Sequence, residues 1–188
     1  MEKRTKQSTK LKSLLKDISI GKEEIILNAI KQLESYGDIT VIPSLLNRLE
    51  IEKNSEVVKA IVRFLGNVQD EEIVEALMTY IRQGQKKEIL SIVLPCIWNS
   101  KHNYSAYIAD FVSLSIEEDY LIALECLTIL EQMPGPFEES WLLEAQLFLK
   151  EYHQSSTLKE EKKTQIISEI ARFVKAQNEG VDADLIME

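Results

Sequence analysis

The sequence predicts an all-α fold made of repeated helix pairs, and three observations lead to this prediction. The 188-residue chain holds only 6 Gly and 4 Pro, which is few for a protein with many strands or tight turns. Its apolar residues recur with the spacing of one helix face, and the pattern returns every 32 residues. The length suits one domain, so we expect a helical domain over residues 1–177 and an acidic, flexible tail over residues 178–188.

The repeat consists of four apolar positions spaced i, i+1, i+5 and i+8, which lie on one side of an α-helix. The four sets in register are Ile25, Ile26, Ile30 and Leu33; Val57, Val58, Val62 and Leu65; Ile89, Leu90, Leu94 and Ile97; and Leu121, Ile122, Cys126 and Ile129. Each set is expected to form the buried stripe of a helix. A fifth set, Ile166, Ile167, Ala171 and Val174, follows after 45 residues, so we expect a longer loop around residues 153–163.

Partner helices are expected between these stripes, over residues 39–50, 71–83, 105–114 and 139–152. Asp38, Asn54 and Asp70 are residue types that cap helix starts. The segments 115–118 and 157–160 match the capping box, and the Met-Pro-Gly-Pro run at 133–136 predicts a break. The central helices, 88–99 and 118–132, are apolar almost all round, and Pro95 should kink the first of them.

One unit resembles a HEAT repeat: residues 37–49, with Pro43 early in the first helix, followed by residues 55–66, which read Val-Val-Lys-Ala and end in Leu-Gly. The resemblance implies a right-handed α-α superhelix, or solenoid, of about five antiparallel helix pairs. Because HEAT and armadillo units usually span roughly 40–47 residues, this chain looks like a short-repeat variant of the bacterial type. The patterns of tetratricopeptide and ankyrin repeats are missing from the sequence.

The sequence has few residues in patterns typical of catalytic, metal-binding or phosphate-binding sites. The two histidines, His102 and His153, stand far apart with no second ligand at metal-binding spacing. We also find no glycine-rich phosphate loop and no evident nucleophile–base pair. We therefore expect neither a catalytic site, a metal nor a cofactor, and a protein that is not an enzyme.

The chain start and the cysteines predict where the protein is located. The basic stretch 3–16, expected to be mobile, is not followed by the apolar core of a secretory signal, and no apolar run is long enough to span a bilayer. Cys96 and Cys126 sit inside apolar runs and are expected to be buried free thiols in a reducing compartment. These features predict a soluble, cytoplasmic protein.

Charge and aromatic residues are unevenly distributed. Residues 1–63 hold 12 Lys/Arg and 9 Asp/Glu, whereas residues 102–161 hold 2 Lys/Arg and 12 Asp/Glu within a net charge of −9. Nine of the 13 aromatic residues fall between Trp98 and Tyr152, where they either fill the core or form a contact surface. The helices that carry the four stripes are the second helices of the predicted pairs. In these helices the residues directly after the third stripe position are, in chain order, Lys31, Arg63, Pro95 and Leu127. The resemblance implies a groove that turns from basic to apolar, unless Pro95 and Leu127 are buried.

These observations predict a non-enzymatic scaffold or adaptor that binds a protein or peptide, possibly a basic one. The candidate contact residues are Lys31, Arg63, Trp98, Tyr104, Tyr107, Glu117, Glu118, Tyr120, Glu138, Glu139 and Trp141. The alternatives are an acidic inhibitor or immunity-type protein, a subunit that self-associates through its aromatic half, and a HEAT-like enzyme acting on nucleic-acid bases or pigments. The acidic surface argues against nucleic acid as a partner, and no membrane partner is expected.

Overall fold

The computed structural model describes the backbone of residues 2–34, 39–155 and 160–186, and the side chains of residues 9–34, 39–155 and 160–178. Within these residues the chain forms ten α-helices, two short 3-10 helices and no strand, which confirms the all-α class. The α-helices are α1 Glu2–Ile20, α2 Glu23–Leu33, α3 Ile42–Ile51, α4 Ser55–Asn67, α5 Glu72–Arg82, α6 Lys87–Trp98, α7 Ile108–Glu117, α8 Tyr120–Glu131, α9 Glu139–Gln154 and α10 Glu161–Ile186. The 3-10 turns Ile39–Val41 and Ser105–Tyr107 precede α3 and α7.

Two of the predicted capping residues, Asn54 and Asp70, accept hydrogen bonds from amides at a helix start. The Asn54 side-chain oxygen accepts hydrogen bonds from the amides of Glu56 and Val57, at 2.8 and 3.3 Å, as predicted for the start of α4. Asp70 accepts a bond of 3.0 Å from the Glu72 amide just before α5. Each bond satisfies an amide that the first helical turn leaves without a backbone partner.

The capping box predicted at residues 115–118 is wrong. Ser115 lies inside α7, is buried, and donates its hydroxyl to the Val112 carbonyl at 2.7 Å. The cap of α8 is Asp119, whose carboxylate accepts from the amides of Leu121 and Ile122 at 3.0 and 3.2 Å. A serine inside a helix commonly bonds to a preceding carbonyl, so the motif alone does not locate a helix start.

Other boundary predictions have mixed outcomes. The break at residues 133–136 is confirmed, since it separates α8 from α9. Asp38 and the start of the second capping box, Thr157, lie outside the described residues. Helix α6 continues through Pro95 to Trp98, and the backbone of α10 is helical as far as Ile186, into the stretch predicted as a tail.

The chain divides into two compact units, Met1–Gln85 and Lys86–Glu188. In the first, which we call the N-terminal unit, α3 packs against both α1 and α5, and α2 packs against α4. Helices α1 and α2 also contact each other, as do α3 and α4. The first helix was missed by the sequence analysis. Its Leu14 and Ile18 are buried, one helical turn apart, so this part of the basic stretch contributes to the core.

The second unit, which we call the C-terminal unit, has the same arrangement as the first: alternate helices pack side by side and form two rows. Helix α8 packs against α6 and α10, α7 packs against α9, and the rows meet through α7 with α8 and α9 with α10. Its core includes Phe111, Val112, Ile122 and Leu142. Cys96 and Cys126 are buried and free, as predicted.

The predicted stripes largely form the core. Of the sixteen residues in the four sets, twelve are buried, and Val58 and Val62 are half-buried. The prediction is wrong for Ile25 and Leu121, which are exposed. Both occupy the first position of their set, in the first turn of the helix and at the edge of the stripe, where one residue step turns the side chain by about 100°.

Candidate partner-binding surfaces

The net negative charge of the chain comes from one unit. Residues 1–85 hold 13 Lys/Arg and 13 Asp/Glu, while residues 86–188 hold 9 Lys/Arg and 18 Asp/Glu, which equals the whole net charge of −9. A surface with such a charge attracts cationic partners and repels anionic ones. The C-terminal unit is therefore the acidic part of the chain.

The aromatic residues of the C-terminal unit have two different roles. Tyr104 is buried and packs edge-on against Phe111, with ring centroids 6.4 Å apart, and burial raises the pKa of its hydroxyl to about 12. It is therefore a core residue rather than a surface contact. Trp98 is half-buried, and its indole nitrogen donates to a Glu125 carboxylate oxygen at 2.8 Å, which ties α6 to α8. The other predicted contact aromatics, all half-buried, are Tyr107, Tyr120 and Trp141.

The four predicted contact carboxylates form two separate pairs. Glu117 and Glu118 precede the start of α8, while Glu138 and Glu139 follow its end. Since α8 has 12 residues, about 18 Å of helix separates its two ends. The pairs therefore lie on different helices, at the end of α7 and at the start of α9, with the whole of α8 between them in the chain.

The end of α7 is held by a lysine from α10. The Lys163 amine donates to the Ile116 carbonyl and to the Glu118 carbonyl. The carboxylate of Glu117 is exposed and accepts from the Ser113 hydroxyl at 2.7 Å. A cation at a helix C-terminus satisfies carbonyls that have no helical partner and interacts favourably with the helix dipole.

The two predicted basic contacts, Lys31 and Arg63, are both exposed and lie on the neighbouring helices α2 and α4. Arg63 lines a pocket of about 550 Å³ together with Phe64 and Asp70. At the other end of the predicted ridge, Leu127 is buried and Pro95 is half-buried. Burial therefore accounts for the change from basic to apolar residues at Leu127.

Exposed leucines on α8 and α9 form surfaces that the sequence analysis missed. Leu121 and Leu124 of α8 are 56% and 38% exposed. They are spaced i, i+3 and so lie on one face of a helix that is rich in apolar residues. Leu143 and Leu147 of α9 are each 53% exposed. The sequence of α8 did indicate exposed leucines, because a helix that is apolar nearly all round has more apolar side chains than one buried face can hold.

A groove between α3 and α5 is the second missed surface, and it belongs to the N-terminal unit. It measures about 620 Å³. The residues that line it are Ile39, Pro43, Leu46, Asn47, Glu72, Glu75, Ala76, Thr79, Tyr80 and Gln83. No sequence motif marks it, since its two walls come from segments about one repeat apart.

The comparisons with known proteins give no relative. No family model, no curated protein and no solved structure matches this chain. Among the described residues, no group of three or more His, Cys, Asp or Glu is arranged to hold a metal ion. None of the helices in the described part of the chain has the length and apolar character needed to cross a membrane.

Proposed function

We propose that the chain is a non-enzymatic scaffold or adaptor that binds another protein through the surface of its helical rows. The observation that carries this proposal is the pair of exposed leucines on α8. Leu121 and Leu124 lie one turn apart on α8, and Glu125 of the same helix accepts a hydrogen bond from Trp98 of α6, which is only half-buried. Neighbouring apolar side chains left in water are a common mark of a protein contact surface, and tryptophan is enriched at the energetic centres of such surfaces.

The proposal includes the HEAT-type solenoid as the architecture. Its support is the packing of alternate helices into rows within each unit, together with the 32-residue repeat. In solenoids each repeat contacts mainly its neighbours, which leaves a long face for binding.

We propose that the partner is a basic protein. In one version of this proposal, the chain itself is an inhibitor or an immunity-type protein. The support is the location of the whole net charge of −9 in the unit that carries Leu121 and Leu124. Complementary charge accelerates association and selects among partners more than it adds affinity. The reducing cytoplasm is the location we propose, since two free buried thiols suit it.

Affinity capture from the native organism, read by mass spectrometry, tests the proposal. The test variant is Leu121→Asn/Leu124→Asn, and the matched control is Leu143→Asn/Leu147→Asn, which removes two leucines of similar exposure from α9. We expect the α8 variant to lose a partner that the wild type and the control retain. If both variants captured the wild-type set of proteins, the α8 surface would be excluded as the contact.

A charge test follows on the same partner. The variant reverses Glu117, Glu118, Glu138 and Glu139 to Lys, which changes the end of α7 and the start of α9 at once. We expect slower association with a basic partner and a weaker dependence on salt. Unchanged association would reject the basic partner while leaving the apolar contact standing.

A further inference from the structure

The groove between α3 and α5 is built from one face of each helix. Pro43, Leu46 and Asn47 of α3 are spaced i, i+3 and i+4. The residues that α5 and its C-cap contribute have the same helical spacing, namely Glu72, Glu75, Ala76, Thr79, Tyr80 and Gln83. Both walls are therefore continuous along the helices, and the α5 wall extends for about 16 Å.

The floor of the groove is apolar and its rim is polar. Leu46 and Tyr80 are buried, and Ala76 between them is half-buried. The rim residues of α5, including Thr79, are exposed. Its volume of about 620 Å³ falls within the range of roughly 300–1,000 Å³ typical of ligand sites.

Tyr80 ties the two walls together. Its hydroxyl donates to a Glu50 carboxylate oxygen at 3.0 Å and lies 3.5 Å from the Leu46 carbonyl, so the side chain of α5 reaches two residues of α3. Burial and the neighbouring Glu50 raise the pKa of this hydroxyl far above its ordinary value, so it remains a donor at physiological pH. The groove is thus preformed, which lowers the entropic cost of binding.

The charge of the groove has one sign. Glu72 and Glu75 stand exposed on its α5 rim, and no Lys or Arg is among the described residues that line it. The remaining lining residues are neutral. A ligand that fits must place an apolar group on the floor and a cation beside the α5 rim.

We propose that this groove binds a short peptide segment of a partner protein, with an apolar side chain on the Leu46–Tyr80 floor and adjacent lysine or arginine residues facing Glu72 and Glu75. About 16 Å of wall accommodates roughly five extended residues at about 3.3 Å each. The site goes beyond the scaffold function proposed above, because it is a second surface, in a different unit from the leucines of α8.

The experiment measures fluorescence anisotropy of a short labelled peptide of serine, leucine and lysine, titrated with the full chain. A peptide with glutamate in place of lysine is the charge control. We expect saturable binding of the lysine peptide only, weakened by salt. Glu72→Gln/Glu75→Gln should weaken it about fivefold or more, because two facing carboxylates lose their charge while the helix is kept.

The matched control is Glu131→Gln/Glu144→Gln, which removes two exposed carboxylates from the more acidic C-terminal unit. We expect it to leave binding within about twofold. If it weakened binding as much as the α5 variant, general attraction to an acidic protein would explain the result and the groove would be rejected. Binding of the glutamate peptide would reject the charge assignment.

A second variant tests the groove without changing its charge. Thr79→Trp introduces a large ring at an exposed rim position, where the variant should fold normally; it removes the 3.2 Å hydrogen bond that the Thr79 hydroxyl donates to Glu75 and retains the charge of that carboxylate. We expect it to abolish saturable binding while circular dichroism and the urea midpoint stay close to wild type. Undiminished binding would overturn the proposal. Leu121→Asn/Leu124→Asn should not affect this assay, so a failure here is distinct from a failure of the α8 surface.

Discussion

Asp119 fixes the start of α8 in two ways that substitution can separate. Its carboxylate caps the helix by accepting from the Leu121 and Ile122 amides at 3.0 and 3.2 Å, and it forms an ion pair with Lys87 at the start of α6. Asp119→Ala removes both and should lower the free energy of unfolding by about 1 kcal/mol, the usual value of an N-cap. Asp119→Asn should retain most of this stability, because Asn caps about as well as Asp and an exposed ion pair contributes little.

The pH dependence of Asp119 follows from its pKa. The hydrogen bond from Lys87, with smaller contributions from the Ile122 and Leu121 amides, holds the pKa of this carboxyl below its ordinary 3.8, against the opposing effect of burial. Because the folded pKa is below the unfolded one, the contribution of the charge is present above 3.8 and is lost as the pH falls through the folded value. The stability difference between wild type and Asp119→Asn should therefore be constant near neutral pH and shrink in acid below 3.8.

Urea unfolding followed by tryptophan fluorescence is the assay. Both tryptophans, Trp98 and Trp141, lie in the C-terminal unit, so the signal reports on the unit that contains Asp119. The matched control is Glu131→Ala, which removes an exposed carboxylate from the other end of α8, where a negative charge opposes the helix dipole. If Asp119→Asn cost as much as Asp119→Ala, the charge rather than the cap would hold the helix. If Glu131→Ala cost as much as either, neither explanation would stand.

Three further predictions concern the caps and the buried thiols. Asn54→Ala should lower the free energy of unfolding of the N-terminal unit by about 1 kcal/mol, measured by urea unfolding with circular dichroism, because α4 loses two capping bonds; no change would show that the cap is dispensable. Lys163→Met should destabilise the C-terminal unit in the tryptophan assay, since two carbonyls at the end of α7 lose their donor, and equal stability would refute that role. Burial raises the pKa of Cys96 to about 11 and that of Cys126 well above its ordinary value, so a thiol reagent at neutral pH should react with both only after unfolding; reaction of the native protein would contradict the burial.

Most helices could be predicted because their boundaries and faces are local properties. The stripe spacing depends only on the 3.6-residue turn, so residues such as Ile26, Val57 and Ile122 are buried as the pattern requires. Asn54 also caps from its own sequence neighbourhood. Ser115 shows the limit of this reasoning, since its hydroxyl can serve a preceding carbonyl as well as a following amide.

Helix α1 was missed because its charge outweighed its pattern. Lys12 and Lys16 lie two residues from Leu14 in sequence, which places them on the opposite face of the helix and leaves Leu14 and Ile18 free to pack. If the segment is judged by its average polarity, we expect it to be solvated. A reading by helical face places Leu14 and Ile18 one turn apart, which is the spacing that the structure buries.

The candidate binding surfaces were less predictable, because each depends on which helices become neighbours. Leu46 and Tyr80 stand 34 residues apart, and only the packing of α3 against α5 makes them one floor. Acidic residues that appear dense in sequence can belong to different helices, as the pairs at the end of α7 and at the start of α9 do. A helical repeat fixes which face of a helix is apolar, but the gap between two helices depends on the side chains of both. Tyr80 illustrates this, since its hydroxyl reaches from α5 to Glu50 of α3 and ties together the two helices that form the walls of the groove.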